Sequence, residues 1–312
     1  AELAKMGEVL TNSQIGGRRN IIINGGMICS QRATSATGLG ATTGYYTLDR
    51  FNMYFASTAG RLTMAQVADI HDGFANALKL TCTTADTSIA AAEQVLLRYR
   101  IEGQDLQQLK KGTSDAEKVT LSFYVKGNAS ATYIAELMDG DNGARHVNAS
   151  FNVTTNWTRV VITFPADTTG TLDNDNAASI DLHIHLHNGS NYTSGTLQTT
   201  WGSLAQTNRG VGGTSFFDST DRTFFITGVQ LEVGSQATPF EHRSFGEELL
   251  LCQRYYEKTD NIAYHVLTRY AGDAGGRLAN WQMKNVMRAD PSCSTAGTFT
   301  SSGGFTGTPL FI

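Results

Sequence analysis

The chain has 312 residues and a mass of 33.7 kDa, enough for one large or two ordinary domains with a substantial core. Its 24 basic and 28 acidic side chains leave a net charge of −4, which excludes the basic footprint that nucleic-acid phosphates require, and no apolar run approaches the roughly 18 residues of a membrane span. Charged residues are 17% against about 25% in an average domain, with Thr, Gly, Asn and Ser abundant, so many short strands and turns are expected rather than a helical bundle.

Leu3, Met6 and Leu10 are spaced three and four apart, one apolar seam of a helix too short to stand alone. It reads as the end of a longer stalk or as a helix held beside symmetry mates. The N-terminus carries Glu2 and Lys5 with no apolar stretch behind them, so it has no leader character, and the start on alanine implies a piece of a longer chain. Gly16-Gly17 stops the helix, and Asn20–Asn24 reads as an apolar strand ended by Gly25-Gly26.

From Tyr45 to Val233 strands alternate with turn signals. Phe51–Ser57, Arg61–Val67, Ala77–Thr83, Val95–Ile101 and Lys118–Lys126 form the first group. Thr132–Leu137, Arg145–Val153, Thr158–Phe164, Ile180–His187 and Thr223–Val233 form the second. Asp139 to Gly143 is a hairpin turn, Gly103–Lys111 a helical turn, and Thr168–Ala178 and Gly189–Gly213 are long polar loops. Ten antiparallel-looking strands without a βαβ rhythm predict an all-β jelly-roll β-sandwich.

After Pro239 the pattern changes. Ser244 and Glu247 form an S-x-x-E capping box, and Phe245, Leu249, Cys252 and Tyr256 recur at helical spacing, which predicts an amphipathic helix over Ser244–Lys258. Leu250, Leu251 and Tyr255 make that helix apolar on its other side too, so it is expected to be buried against neighbouring subunits as well as its own sandwich. Tyr264–Tyr270 and Leu278–Val286 return to β character. The division is thus 1–19 stalk end, 20–243 jelly-roll, 244–258 linking helix and 259–312 a C-terminal β region.

Known catalytic patterns are missing: no G-x-S-x-G, H-E-x-x-H or Walker sequence occurs. His183, His185 and His187 alternate with Leu182, Ile184 and Leu186, so the imidazoles share one side of a strand. They could converge on a metal, but no carboxylate pattern adjoins them in sequence, and the favoured reading is histidines facing solvent or a neighbour with no metal. The D-x-D pairs Asp139/Asp141 and Asp173/Asp175 fail the calcium-loop pattern and read as turns. Cys29, Cys82, Cys252 and Cys293 are isolated and read as small hydrophobes. No cofactor is expected.

Two segments carry a resemblance. The run Phe224 to Glu241 (FFITGVQLEVGSQATPFE), continued by Arg243 to Glu257, resembles the tail-fibre proteins of tailed bacteriophages. Met6-Gly-Glu, Gly16 to Met27 (GGRRNIIINGGM), Gln31-Arg-Ala-Thr-Ser35 and Asp49-Arg-Phe51 resemble the opening of the same family. Between them, Ala77 to Thr81, Val119 to Lys126 and Val229 to Glu232 resemble the jelly-roll of carbohydrate-binding modules, and the whole similarity spans about residues 5 to 258. Where such modules often place an acidic calcium ligand, this chain has Thr227-Gly228.

The resemblance implies a virion component, a homotrimer assembled with other tail or fibre proteins, that contacts a host cell-surface glycan and does not catalyse. A virion-displayed polysaccharide depolymerase and a purely structural fibre or head-decoration module are the alternatives. Sugar binding needs aromatic faces beside polar groups, and the 189–213 loop offers Trp201 and Tyr192 with Asn191, Asn208 and Arg209. Trp201 as a loop anchor is the competing reading. Leu3, Met6, Leu10, Leu249, Leu250 and Tyr255 are the expected oligomer contacts.

Overall fold

The computed structural model describes residues 19–68, 71–258 and 283–292. Twelve strands among them, numbered in chain order, build two six-stranded sheets, and every pairing is antiparallel. The first sheet runs β1 (Ser35–Leu39), β3 (Arg61–Val67), β4 (Ala77–Thr84), β12 (Thr223–Val233), β6 (Val119–Gly127), β9 (Thr158–Phe164). The second runs β11 (Gly202–Ser203), β8 (Arg145–Val153), β7 (Ala131–Asp139), β10 (Ala178–Asn188), β5 (Gln94–Glu102), β2 (Phe51–Ala56). This is a jelly-roll β-sandwich. No helix among the described residues is long and apolar enough to cross a membrane.

The strands form where alternation directs one side chain in two inward. β9 is the plainest case, with Val160, Ile162 and Phe164 buried and the residues between them exposed. Inward residues of both sheets meet in one core, where Phe123 packs edge-on to Phe151 at 5.1 Å and Tyr133 edge-on to Phe224 at 5.4 Å. Trp157 lies at the margin, against Phe225 at 6.2 Å on the outer face of the first sheet.

The structure departs from these expectations in places. Asn20–Asn24 is not a strand: Asn24 (φ 63°) and Met27 (φ 58°) turn the chain left-handed, and Ile22 plugs the core. β1 is an additional strand whose mostly exposed pattern gives no alternation in sequence; it is an edge strand held by β3. The helix after the sandwich covers Phe245–Gln253, not Ser244–Lys258. Ser244 caps it, its Oγ accepting from Glu247 N at 3.3 Å. The four-residue helix α1 (Ser190–Thr193) precedes it in the chain, so Phe245–Gln253 is α2. The stalk helix and most of the C-terminal β region fall outside the described residues, and 283–286 within the latter are not strand.

Candidate functional site

Most outward side chains of the second sheet are polar, and Glu136, His146, His183, His185 and His187 among them are buried. Register sets Glu136 of β7 directly opposite His183 of β10, with Ala135 opposite Ile184 turned the other way into the core. The chain leaving β10 folds back over this face. Thr214 N donates to Thr132 O at 2.7 Å, Phe216 N to Leu186 O at 2.7 Å, and Asn148 N to Gln198 O at 2.7 Å. The covering loop therefore belongs to the sheet's hydrogen-bond system, and β11 within it adds a sixth strand beside β8.

Under that cover Glu136 is the hub. Its Oε1 accepts from Arg209 Nε at 2.9 Å and lies 3.0 Å from His146 Nδ1. Its Oε2 accepts from Arg209 Nη2 at 2.6 Å and lies 2.8 Å from His183 Nδ1 and 3.0 Å from His185 Nε2. Burial opposes the charge of Glu136, but His185, Arg209, His146 and His183 together hold its carboxyl well below the usual carboxylate range. Burial also opposes charge on His183, yet Asp181 and Glu136 raise its pKa; for His185 burial prevails, helped by Arg209, and lowers it. His187 belongs to a second group, 2.9 Å from Glu93 Oε2 and 2.7 Å from Ser215 Oγ.

The histidines thus share one side, as the alternation predicts, but they are buried rather than solvent-facing, and carboxylates do adjoin them. Those carboxylates come from other strands, Glu136 from β7 and Glu93 from the turn before β5, so the sequence around residues 183–187 could not show them. Glu136, His183 and His185 place ligand atoms within 4.8 Å of one another, as do Asp86, Glu93 and His187. In the first group Arg209 already supplies positive charge to both carboxylate oxygens, and a cation would have to displace it.

The five loop residues expected to bind sugar do not form one open face. Arg209 is buried on Glu136. Asn208 is turned into the loop, its Oδ1 accepting from Thr196 N at 3.1 Å. Trp201 is half-buried against the core, donates from Nε1 to Pro165 O at 2.9 Å, and has the Lys111 ammonium over its ring at 5.6 Å. That is the geometry of an anchor. Asn191 is exposed and Tyr192 half-buried on α1.

An open cleft of about 290 Å³ lies at the other end of the same sheet, where β5 and β10 meet α2. Tyr45, Tyr255 and Tyr256 give it aromatic walls, and Arg32, Arg50, Arg100 and Arg288 give it positive charge. Arg32 lies 3.7 Å from the centre of the Tyr256 ring and 5.3 Å from that of Tyr45. Two carboxylates also line it. Asp49 accepts from Arg32 Nη1 at 3.2 Å and Gln31 Nε2 at 3.0 Å, and burial raises its pKa against those partners. Glu102 accepts from Arg254 Nε at 3.0 Å and from the Tyr255 hydroxyl. Burial opposes its charge, but Arg254 and Tyr255 hold its pKa low. None of the cleft residues was singled out as a sugar contact from sequence, because they come from six separate stretches of chain.

Of the expected oligomer contacts, Leu3, Met6 and Leu10 lie outside the described residues. α2 is rotated from the expected face. Glu248, Cys252 and Gln253 are buried, because Glu248 Oε1 accepts from Asn24 N at 2.5 Å, while Phe245 (60% exposed) and Leu250 (47%) face outward. Leu249 is half-buried. Tyr255 is used within the chain, its ring 3.4 Å from the Arg50 guanidinium and its hydroxyl on Glu102.

No protein-family model matches the chain, and no curated protein sequence matches it. Among solved structures it is similar to a CBM4 module, with a TM-score of 0.34 and 10% identity over 67% of this chain and 97% of that one. It is similar to the CBM22 xylan-binding domain from Paenibacillus barcinonensis (0.31, 15%, 65% and 94%). It is similar also to the enzymatically active domain of tailspike protein 4 of bacteriophage CBA120 (0.33, 11%, 69% of this chain and 21% of that one). Likeness of this degree is likeness of sandwich architecture and carries nothing about which side chains bind.

Proposed function

We propose that the chain is a non-catalytic, glycan-binding module of a phage virion fibre, displayed as a homotrimer with other tail or fibre proteins and contacting a host cell-surface glycan. The observation that carries the binding function is the cleft. Its volume suits one or two sugar rings, half-buried Tyr45 and Tyr256 offer faces for their C–H side, and arginines stand ready for their oxygens. The virion setting is supported by the resemblance of residues 224–257 to phage tail fibres, and the trimer by outward Phe245 and Leu250 on α2.

One observation favours the depolymerase reading: Asp49 and Glu102 line the same cleft with pKa values shifted in opposite directions. Both are held by arginine and other donors of this chain, which favours binding over hydrolysis. The test is titration of purified chain with host-surface polysaccharide while assaying reducing ends. Saturable binding, weakened in Tyr256→Ala and Tyr45→Ala without a fall in melting temperature and without reducing-end release, is expected. Sustained release would establish the depolymerase, and unweakened binding in both variants would remove the cleft from the site.

A further inference from the structure

Among the described residues, Arg50 is a buried cation without a counter-ion. Arg50, Lys111 and Arg209 are buried residues, and the Arg243 side chain is buried as well, 3.4 Å from Glu248. Lys111 Nζ lies 2.6 Å from Asp139 and 3.1 Å from Asp167, and Arg209 grips Glu136. Arg50, 5% exposed, has no carboxylate within ion-pair reach among the described residues. Its Nε donates to the Tyr99 hydroxyl at 3.3 Å, another nitrogen donates to Arg100 O, and its flat face lies on Tyr255. A buried charge without a partner is costly in proportion to what surrounds it.

The backbone points the same way. Arg50 has φ 74°, the left-handed region that side-chain-bearing residues rarely adopt, and such strain persists where the surrounding structure demands it. Its position just before β2 turns the side chain under the cleft. Around it the other charges are mostly matched: Arg32 with Asp49, Arg254 with Glu102, Arg100 with Asp181 at 3.4 Å. Arg288, at the rim, is bonded to the Asn176 carbonyl and to no carboxylate among the described residues. The cleft is therefore short of negative charge at its floor.

We propose that the cleft takes a sugar residue bearing a carboxylate, a uronic or nonulosonic acid, with the carboxylate on Arg50 and the ring against Tyr256 and Tyr45. A planar guanidinium matches a planar carboxylate through paired hydrogen bonds, and the flanking tyrosines supply the stacking that a free anion would not use. The inference deepens the glycan-binding reading and rests on it.

The test is an array of uronic-acid and sialic-acid oligosaccharides, each beside its carboxyl-reduced counterpart, with neutral and sulfated glycans included, probed with the full chain. Binding to a carboxylated glycan is expected, at least tenfold weaker after carboxyl reduction and weaker at high salt. Arg50→Gln should lose binding to the same degree. Because that variant removes a buried side chain, Arg100→Gln, altered at an exposed cleft position, should weaken binding with an unchanged melting temperature. Equal affinity for reduced and carboxylated forms would overturn the acid inference and leave the glycan reading intact, as would a preference for sulfated glycans. No binding to any glycan would overturn both.

Discussion

Arg209 closes on Glu136 with two parallel hydrogen bonds, of 2.9 and 2.6 Å, across 73 residues of chain. The pair ties the loop after β10 to the middle of the second sheet, so what would otherwise be an open polar face becomes an interior. Its strength lies in completeness: every oxygen of the carboxylate has partners, and the pair is shielded from water.

Removing one half of that pair should therefore be severe. Glu136→Leu strands Arg209 and three histidines without their acceptor, and a loss of about 3–5 kcal/mol is expected, read by denaturant unfolding. A variant that unfolds at the wild-type midpoint would show that the cluster contributes no stability.

Acid should act through the same residue. The folded-state pKa of Glu136 is depressed, so as pH falls the unfolded chain takes up its proton first. The carboxylate's contribution is fully present above the ordinary value of 4.5 and is lost as pH falls through the folded-state value. His183, raised, contributes below its ordinary 6.5 and loses that as pH rises through its folded-state value; His185, lowered, contributes above 6.5 and loses that as pH falls. The histidines oppose each other, and Glu136 sets the acid side. Stability measured below pH 4.5 should drop steeply in the wild type and more gently in Glu136→Leu.

Trp201→Ala should behave as the loss of an anchor. Full burial of Trp is worth about 3–5 kcal/mol on truncation; for this half-buried ring about 2–3 kcal/mol is expected, with the Pro165 acceptor left open. Melting temperature should fall while glycan binding at the cleft stays unchanged. Lost binding at constant melting temperature would return the site to the 189–213 loop.

The trimer has its own test in α2. Phe245→Asp combined with Leu250→Asp changes two outward residues that make no contribution to the sandwich core. Light scattering should show a trimeric mass for the wild type and monomers for the variant. A trimer that survives both charges would move the interface elsewhere.

Alternation makes strands such as β9 legible, with one buried and one exposed side, whereas β12 is buried on both faces and reads instead as a continuous apolar run between turns. The first failure is local. Ile21, Ile22 and Ile23 look like a strand by hydropathy, but the left-handed turn at Asn24 is fixed by contacts from Glu248, 224 residues away. The cleft failed for the same reason on a larger scale. Arg50 looks like any charged turn residue, and nothing near it in the chain reveals that it is buried or that, among the described residues, the neighbouring Asp49 pairs with Arg32 instead. The histidine row was read correctly as a row, yet its burial depends on a loop whose own sequence is polar and glycine-rich.

Asn20, at the entry to the sandwich, and Glu241, where the chain passes from β12 towards α2, lie side by side: Asn20 N donates to Glu241 Oε2 at 2.6 Å, and Arg243 binds the carbonyls of Asn20 and Ile22. Tension arriving along the chain from either side would load this clasp and the contacts of α2, Arg254 and Tyr255 that follow it, leaving the strand ladders behind them slack. A domain strung in this way can hang from a stretched filament without being pulled apart by it.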